Sequence, residues 1–519
     1  MKSLKEGRKE KIKKMKINKF IAMLGAAAML LPASSALTVS AARNDGLDDI
    51  LTDGAFEYLN VDGGYKITKC SATIITKIPA VVNGVPVVSI GENAFATFTG
   101  IEDLVIPDSV KTIEKNAFYA CAASSLTLPK NLKTLGEGAF TGCENLTEVK
   151  IPDSLTEIPE SAFRRCFSLS KVEFGSGLTT IGDYAFYECT SLERLDLPPT
   201  LTEIGGEAFG ELLSLSEITA DGSSSFAVND GILTDKDKKE IYCGVSTLSG
   251  DLHVPDGTEV IRPGAFSASA SIEHVFLPSS LTEIGEGAFS CLYTGELGYC
   301  SNLKSVDFAN GLETIGDSAF AYTMIESLSF PTTLKTIGNY AFNGCYALNK
   351  VVIPDGLKTV GDKAFFNCNK LKKIAVPKSV SDIGERAFGF GYEVSGEGEN
   401  AAYEEVKVSG FKMSVPSGSA AKKYAKKNGV SYTTTDFNLL KWAFIVLCFA
   451  LLAAAVVFGC VLMSRSRKTA PLRVRQAKKR EKERAAEASY KKIIDDSEPE
   501  KKQPQKKSES TKKPSDKKN

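Results

Sequence analysis

Histidine is almost missing from this chain: there are two, with a single tryptophan, among 519 residues. A nucleophilic cysteine or serine needs a base to activate it, and two imidazoles cannot serve many candidates. Cysteine occurs twelve times, but never in the C-x-x-C clusters from which zinc sites are built. No glycine loop for phosphate, dinucleotide fingerprint or G-x-S-x-G elbow is present. The acids of DKDKKE (235–240) lack the fixed glycine and the closing glutamate of a calcium loop. The sequence therefore predicts no catalytic residue, metal, cofactor or small-molecule substrate, and it does not read as an enzyme.

Net charge is missing too: 63 basic residues balance 63 acidic ones. The balance hides a division. Residues 1–41 hold nine Lys/Arg against two Asp/Glu, and the stretch after Met463 holds 20 against nine. Residues 42–441 hold 34 against 52. An acidic middle repels phosphates, which argues against nucleic acid as a partner.

The ends account for the division. Residues 1–41 read as a signal peptide: a lysine-rich start, the short apolar run FIAMLGAAAMLL (20–31), then small residues. Translation could start at Met1 or Met15. WAFIVLCFALLAAAVVFGCVLM (442–463) carries no charge and as a helix would cover ~33 Å, enough to cross a bilayer core. We expect a transmembrane helix over 437–463. Only Lys441 precedes the run, whereas Arg465, Arg467, Lys468, Arg473 and Arg475 follow it. That asymmetry places the tail in the cytoplasm and the acidic middle outside. The tail, 464–519, reads as basic and disordered, its first part lying near anionic lipid.

What is abundant is the pair Ala-Phe. Between residues 94 and 388 it recurs twelve times, ending on Phe95, Phe118, Phe140, Phe163, Phe186, Phe209, Phe266, Phe289, Phe320, Phe342, Phe365 and Phe388. Nine of the eleven gaps are 22 or 23 residues, and the other two, 57 and 31, keep register once insertions of 34 and 8 are removed. Such self-similarity is the signature of a stacked array. LNKVVIPDGLKTVGDKAFFNC (348–368) shows the unit. Leu348, Val351 and Ile353 alternate like a short strand, and Pro354 ends it. Leu357 and Val360 form a second apolar segment that closes on Gly361, where we expect glycine to supply a backbone angle forbidden to other residues. Ala364 and Phe365 then turn inward. Units of this kind bury their apolar faces only by stacking, with strands ~4.8 Å apart. About thirteen coils predict a β-rich solenoid on the order of 60 Å long, each strand bonded to the next.

The elements L-x-x-V-x-I-P, L-x-x-I-G and A-F-x-x-C resemble the BspA-like, or treponemal-type, bacterial leucine-rich repeat. The resemblance covers roughly residues 58–432 and implies a leucine-rich-repeat solenoid over 94–411. YLNVDGGYKITKC (58–70) and VVNGVPVVSIGENAF (81–95) are similar to the family's N-terminal cap, here 42–93. PSGSAAKKYAKKNGVSY (416–432) is similar to its closing helix and strand, within a C-terminal cap and linker at 412–436. Two insertions interrupt the array. One, 222–255, reads as a hairpin with ILT, a charged turn and IYC; the other is short, 291–300. The resemblance implies surface adhesion and binding of host proteins or other cells.

The repeat also explains the cysteines. Cys121, Cys143, Cys166, Cys189, Cys300, Cys345 and Cys368 share one position, the interior turn where a buried thiol fills space. With Phe118, Phe140, Phe163, Phe186, Phe342 and Phe365 they form the expected core ladder. Cys291 and Cys300 bracket the short insertion and are candidates for a disulfide; thiols of adjacent coils could also come within disulfide range, but most are expected to stay reduced.

Function then belongs to residues that differ between coils. Two strand positions point away from the core and form the sheet face, the usual binding surface of a solenoid. Candidates there are Phe276, His274, Lys150, Glu173, Asp196, Lys171, Arg194 and Asp307. Phe276 beside His274 is the most ligand-like spot, although as histidines His253 and His274 both read as ordinary surface or packing residues. Glu148/Lys171, Lys150/Glu173 and Arg194/Glu217 are expected cross-strand charge neighbours. The expectation is a cell-surface binding or adhesion protein that recognises an extracellular protein or glycan. The alternative is a transmembrane receptor or scaffold whose tail recruits cytoplasmic partners.

Overall fold

The computed structural model describes residues 50–52, 54–75, 77–290, 302–395, 402–435 and 439–495. The expected signal segment 1–41, Cys291, Cys300 and the insertion between them, and residues 496–519 lie outside the described residues. The chain divides into two compact units, Met1–Thr435 and Asp436–Asn519.

The first unit is a β-solenoid with two ladders. Each coil gives a three-residue front strand, such as Glu148–Lys150, and a two-residue back strand, such as Glu157–Ile158. Both run parallel to their counterparts in neighbouring coils. The central residue of each front strand is buried and its neighbours face out: Val149 between Glu148 and Lys150, Val172 between Lys171 and Glu173. The alternation that marked these segments in the sequence is the alternation of a pleated strand. The second apolar segment, expected only as packing, is a ladder in its own right. From Glu240–Gly244 to Asp382–Ile383 it is unbroken, while the front strands fall into four hydrogen-bonded groups. Front pairing is thus less continuous than expected; the back ladder bridges the breaks after Lys171–Glu173 and after Ser305–Asp307, but not the one between Glu217–Thr219 and Ser249–His253.

Between the ladders the phenylalanines stack. Successive rings from Phe118 to Phe186 lie 5.2–5.5 Å apart and within 7° of parallel. The column stops at Phe209 and resumes from Phe266 to Phe388. Spacing near the strand repeat makes the rings stack face on face, since each must sit directly above its copy.

The turn into each Ala-Phe explains another regularity and corrects an expectation. The residue before Ala is left-handed in every coil, whether Asn116, Ser161, Tyr340 or Lys363, with φ between 52° and 56° at these four. The Ile-Gly glycine does not have that conformation. A Cβ on Gly361 would stand 2.5 Å from the backbone of Gly338 and Asn339 in the coil before. Glycine is needed there for close approach of two backbones, and the unusual angle falls two residues later.

The insertion at 222–255 is a three-strand meander, one strand more than the expected hairpin: Phe226–Asn229, Ile232–Asp235 and Glu240–Gly244. Its last strand occupies a back-ladder place, pairing Ile241 with Ile261. Ile232 and Ile241 belong to the C-terminal core cluster, Leu233 and Cys243 to the N-terminal one. A further antiparallel pair goes unmarked by the repeat: Phe390–Ser395 with Ala402–Lys407.

Both ends are closed. Phe56–Val61 and Gly64–Cys70 pair antiparallel, and the latter leads in parallel into Val85–Ile90. At the other end Lys412–Val415 and Ser431–Thr434 extend the front ladder. Between them helix Ala420–Asn428 starts on Ser419, whose hydroxyl accepts from Lys422 N–H at 3.2 Å, and stops at left-handed Gly429. Tyr424 meets the last ring of the column edge-on, and its hydroxyl accepts from Phe388 N–H and donates to Phe388 C=O. Both core clusters lie within residues 56–430, so the solenoid closes its core without the second unit.

The second unit contains helix Leu439–Asp495. It includes the apolar run 442–463, yet among the described residues no helix is long and apolar enough to cross a membrane. A crossing over 437–463 therefore stands on the sequence alone. The expectation of disorder from 464 onward is corrected as far as Asp495. RQAKKREKERAAEAS (475–489) is built of strong helix formers with opposite charges three and four residues apart, and local propensity outweighs the lack of a core to join.

Candidate binding face

The front ladder brings the predicted face residues into two outward rows. In its N-terminal stretch the charges answer one another. Register sets Glu148 beside Lys171 and Lys150 beside Glu173. Lys150 and Glu173 pair at 3.3 Å. Lys171 turns instead to Glu173 in its own strand, at 2.5 Å, leaving Glu148 a register neighbour without that ion pair. These two lysines hold the Glu173 carboxyl below the usual range. In the next pair of strands Arg194 reaches Asp196 at 2.7 Å and also pairs with Glu217, opposite it. Thr219 donates to Asp196 at 2.7 Å, and Arg194 with Thr219 lowers the Asp196 pKa. Lys150, Lys171, Glu173, Arg194 and Asp196 are thus engaged within the protein.

The middle of the face differs. Ser249–His253 is a further front strand, with Leu252 as far ahead of Phe266 as Val275 is of Phe289. It sets His253 opposite Phe276 and Asp251 opposite His274. The His253 ring stacks on Phe276 with centroids 4.5 Å apart and planes 10° from parallel. His253 is exposed and Phe276 half-buried. One rung further on, Asp307 stands opposite Phe276 and Ser305 opposite His274, whose Nδ1 lies 2.7 Å from the Ser305 hydroxyl. Asp251 and Asp307 enter no ion pair among the described residues. His253, read as ordinary surface, is half of the aromatic feature. Its signal was L-H-V-P (252–255), the same strand-then-proline ending as V-V-I-P at 351–354.

Toward the C-terminus the row that carries Glu148, Lys171, Arg194 and Glu217 becomes lysine in three consecutive strands. Lys350, Lys373 and Lys412 follow one another, all exposed. The companion row reads Val352, Ala375 and Ser414. Lys412 falls within the expected cap, yet K-M-S-V-P (412–416) again spells a front strand.

The cysteines are structural. Cys143, Cys166, Cys189, Cys345 and Cys368 are buried and free, and each thiol donates to a phenylalanine carbonyl one coil back at 3.2–3.3 Å. Burial pushes the Cys345 thiol up to about 12 and those of Cys143, Cys166 and Cys368 well up. A thiolate nucleophile requires the opposite shift. The Cys291–Cys300 pair lies outside the described residues. Among the described residues no group of three or more His, Cys, Asp or Glu converges as a metal site.

Short parallel strands stacked at a fixed repeat, with a wide face of variable side chains, define a leucine-rich-repeat solenoid, a class that works by surface contact. The chain belongs to the BspA type leucine rich repeat family, whose six-copy model matches residues 75–189, 111–230, 238–297 and 294–392. Among solved structures, it is 28% identical to a leucine rich cell surface protein from Faecalibacterium prausnitzii, covering 64% of this chain and 94% of that one, at a TM-score of 0.51. The pneumococcal vaccine antigen PcpA shares the fold at 23% identity, covering 75% of this chain and 99% of that one, with a TM-score of 0.56. No curated protein matches the sequence.

Proposed function

We propose that this is a cell-surface binding or adhesion protein that recognises an extracellular macromolecule across its front sheet face. The observation that carries the reading is the His253–Phe276 stack, an exposed histidine on a half-buried phenylalanine, flanked by Asp251 and Asp307. Aromatic side chains on an accessible face are the commonest anchors of protein interfaces. The surface location draws on the family and on the cell-surface description of the Faecalibacterium relative. A signal peptide at 1–41 and a single span at 437–463, with the tail in the cytoplasm, complete the proposal from sequence alone. The helix continuing to Asp495 favours a second reading, in which this surface protein also serves as a scaffold for cytoplasmic partners.

The test is capture of surface partners from target cells by residues 43–436. Phe276→Ala and His253→Ala should each reduce capture severalfold with an unchanged melting curve, and Asp196→Lys should do so more weakly, because Asp196 is already engaged by Arg194. Full capture by all three variants would remove the face from consideration. Deleting 469–519 separates the two readings: adhesion should survive, and cytoplasmic recruitment should be lost if the tail is a scaffold.

A further inference from the structure

We infer that the C-terminal third of the front face binds an anionic polysaccharide along the row Lys350–Lys373–Lys412. This deepens the proposed surface-binding role and names the ligand class of a second patch, separate from the aromatic pair.

Three lysines in three successive parallel strands stand ~4.8 Å apart. Like charges placed directly across a sheet repel. Elsewhere on this face Lys171 and Arg194 also follow one another in a row, but each is paired with a carboxylate, Glu173 and Asp196. Here there is no such pairing. From Ser327 to Thr434 the two outward rows read Ser327, Lys350, Lys373, Lys412, Ser431 and Ser329, Val352, Ala375, Ser414, Thr433, without a carboxylate. None of the three lysines forms an ion pair among the described residues. The charge stands out because residues 42–441 are acidic as a whole. A bound polyanion would relieve the repulsion.

The row's direction selects the kind of polyanion. It runs across the strands, along the stack of coils. An extended acidic peptide lying that way presents same-side groups every ~6.6–6.8 Å, out of step with the lysines. The companion row offers no aromatic anchor of the kind that protein partners use. Lysine is a point charge on a flexible stem, without arginine's planar fork. It suits sulfates or carboxylates carried along a sugar chain.

Residues 43–436 are the right probe, since the basic tail would bind polyanions by itself. Binding to immobilised heparin is compared with binding to uncharged dextran and to poly-L-glutamate. Heparin should be bound, dextran should not, and poly-L-glutamate should be bound at least tenfold more weakly. Affinity should fall as salt is raised, because exposed charges are screened within ~8–10 Å at ordinary ionic strength. The variant Lys350→Glu/Lys373→Glu/Lys412→Glu should lose heparin binding by at least tenfold. The equal charge change Lys133→Glu/Lys335→Glu/Lys358→Glu, at exposed positions away from the front rows, should leave it within twofold. Should the triple variant misfold, Lys373→Glu alone, checked by its melting curve, should still weaken binding severalfold.

Absence of heparin binding overturns the inference, as does equal loss from both triple variants. Poly-L-glutamate bound as tightly as heparin transfers the row to acidic protein partners. Phe276→Ala should leave heparin binding intact. Partner capture that persists without heparin binding would sink this inference and leave the aromatic face standing.

Discussion

The two ends of the front face use the same two rows in opposite ways. Between Glu148 and Thr219 charges of opposite sign are matched: Lys150 with Glu173, and Arg194 with Asp196 and Glu217. Between Lys350 and Lys412 charges of one sign are lined up and left open. The core beneath does not distinguish them. Phe163 and Phe342 are both completely buried, and their rings stack on the next at 5.5 and 5.2 Å. The difference teaches that a repeat separates duties: its invariant positions fix shape, and its outward rows can be satisfied internally or left for a partner without cost to the interior.

Substitutions can break or sharpen that contrast, and the largest effects should fall where the two ends are alike. Phe163→Ala and Phe342→Ala should each destabilise the solenoid by ~3–5 kcal/mol, read by chemical denaturation; a large disparity between them would show that the interiors differ after all. Next comes the boundary between the halves. Burial, helped by Glu286 and opposed by Arg164, pushes the Glu207 carboxyl up to about 7. Its unfolded pKa is the lower one, so this group's stability contribution is full below about pH 4.5 and is lost as pH rises through 7. Glu207→Gln should therefore raise the melting temperature at pH 8, by at most ~3 kcal/mol of stability, and change little at pH 4.5. An equal gain at both pH values would refute the assignment. Smallest are the face charges. Lys373→Glu sets a carboxylate between two lysines and should stabilise the free protein by ~0.2–1 kcal/mol, whereas Lys150→Glu should destabilise it by a similar amount. If both changes had the same sign in thermal melts, the contrast between the ends would be lost.

The sequence made the solenoid legible because twelve copies of Ala-Phe repeat one physical requirement, a small and a large residue turned inward. Periodicity also exposed the outward rows, and the charge neighbours expected from it lie in register. Reading coils only by their phenylalanines was less reliable. Lys412 sits on a front strand whose coil carries no Ala-Phe at the regular interval, but His253 does precede Phe266 by the usual spacing, and both strands are marked by a strand-then-proline ending. The reason for the Ile-Gly glycine, close backbone approach between neighbouring coils, is invisible in one coil alone. The helical tail was read by composition where local helix propensity was the stronger term.

The hairpin strand Ile232–Asp235 gives its successive residues Ile232 and Leu233 to different cores, and the phenylalanine column is interrupted beside it. In a nearest-neighbour array, cooperativity passes only through interfaces between adjacent units. That strand is then a coupling between two folding units. If it is tight, the solenoid melts as one; if it is loosened, a fault in either half stops there and the other remains folded to hold its part of the surface.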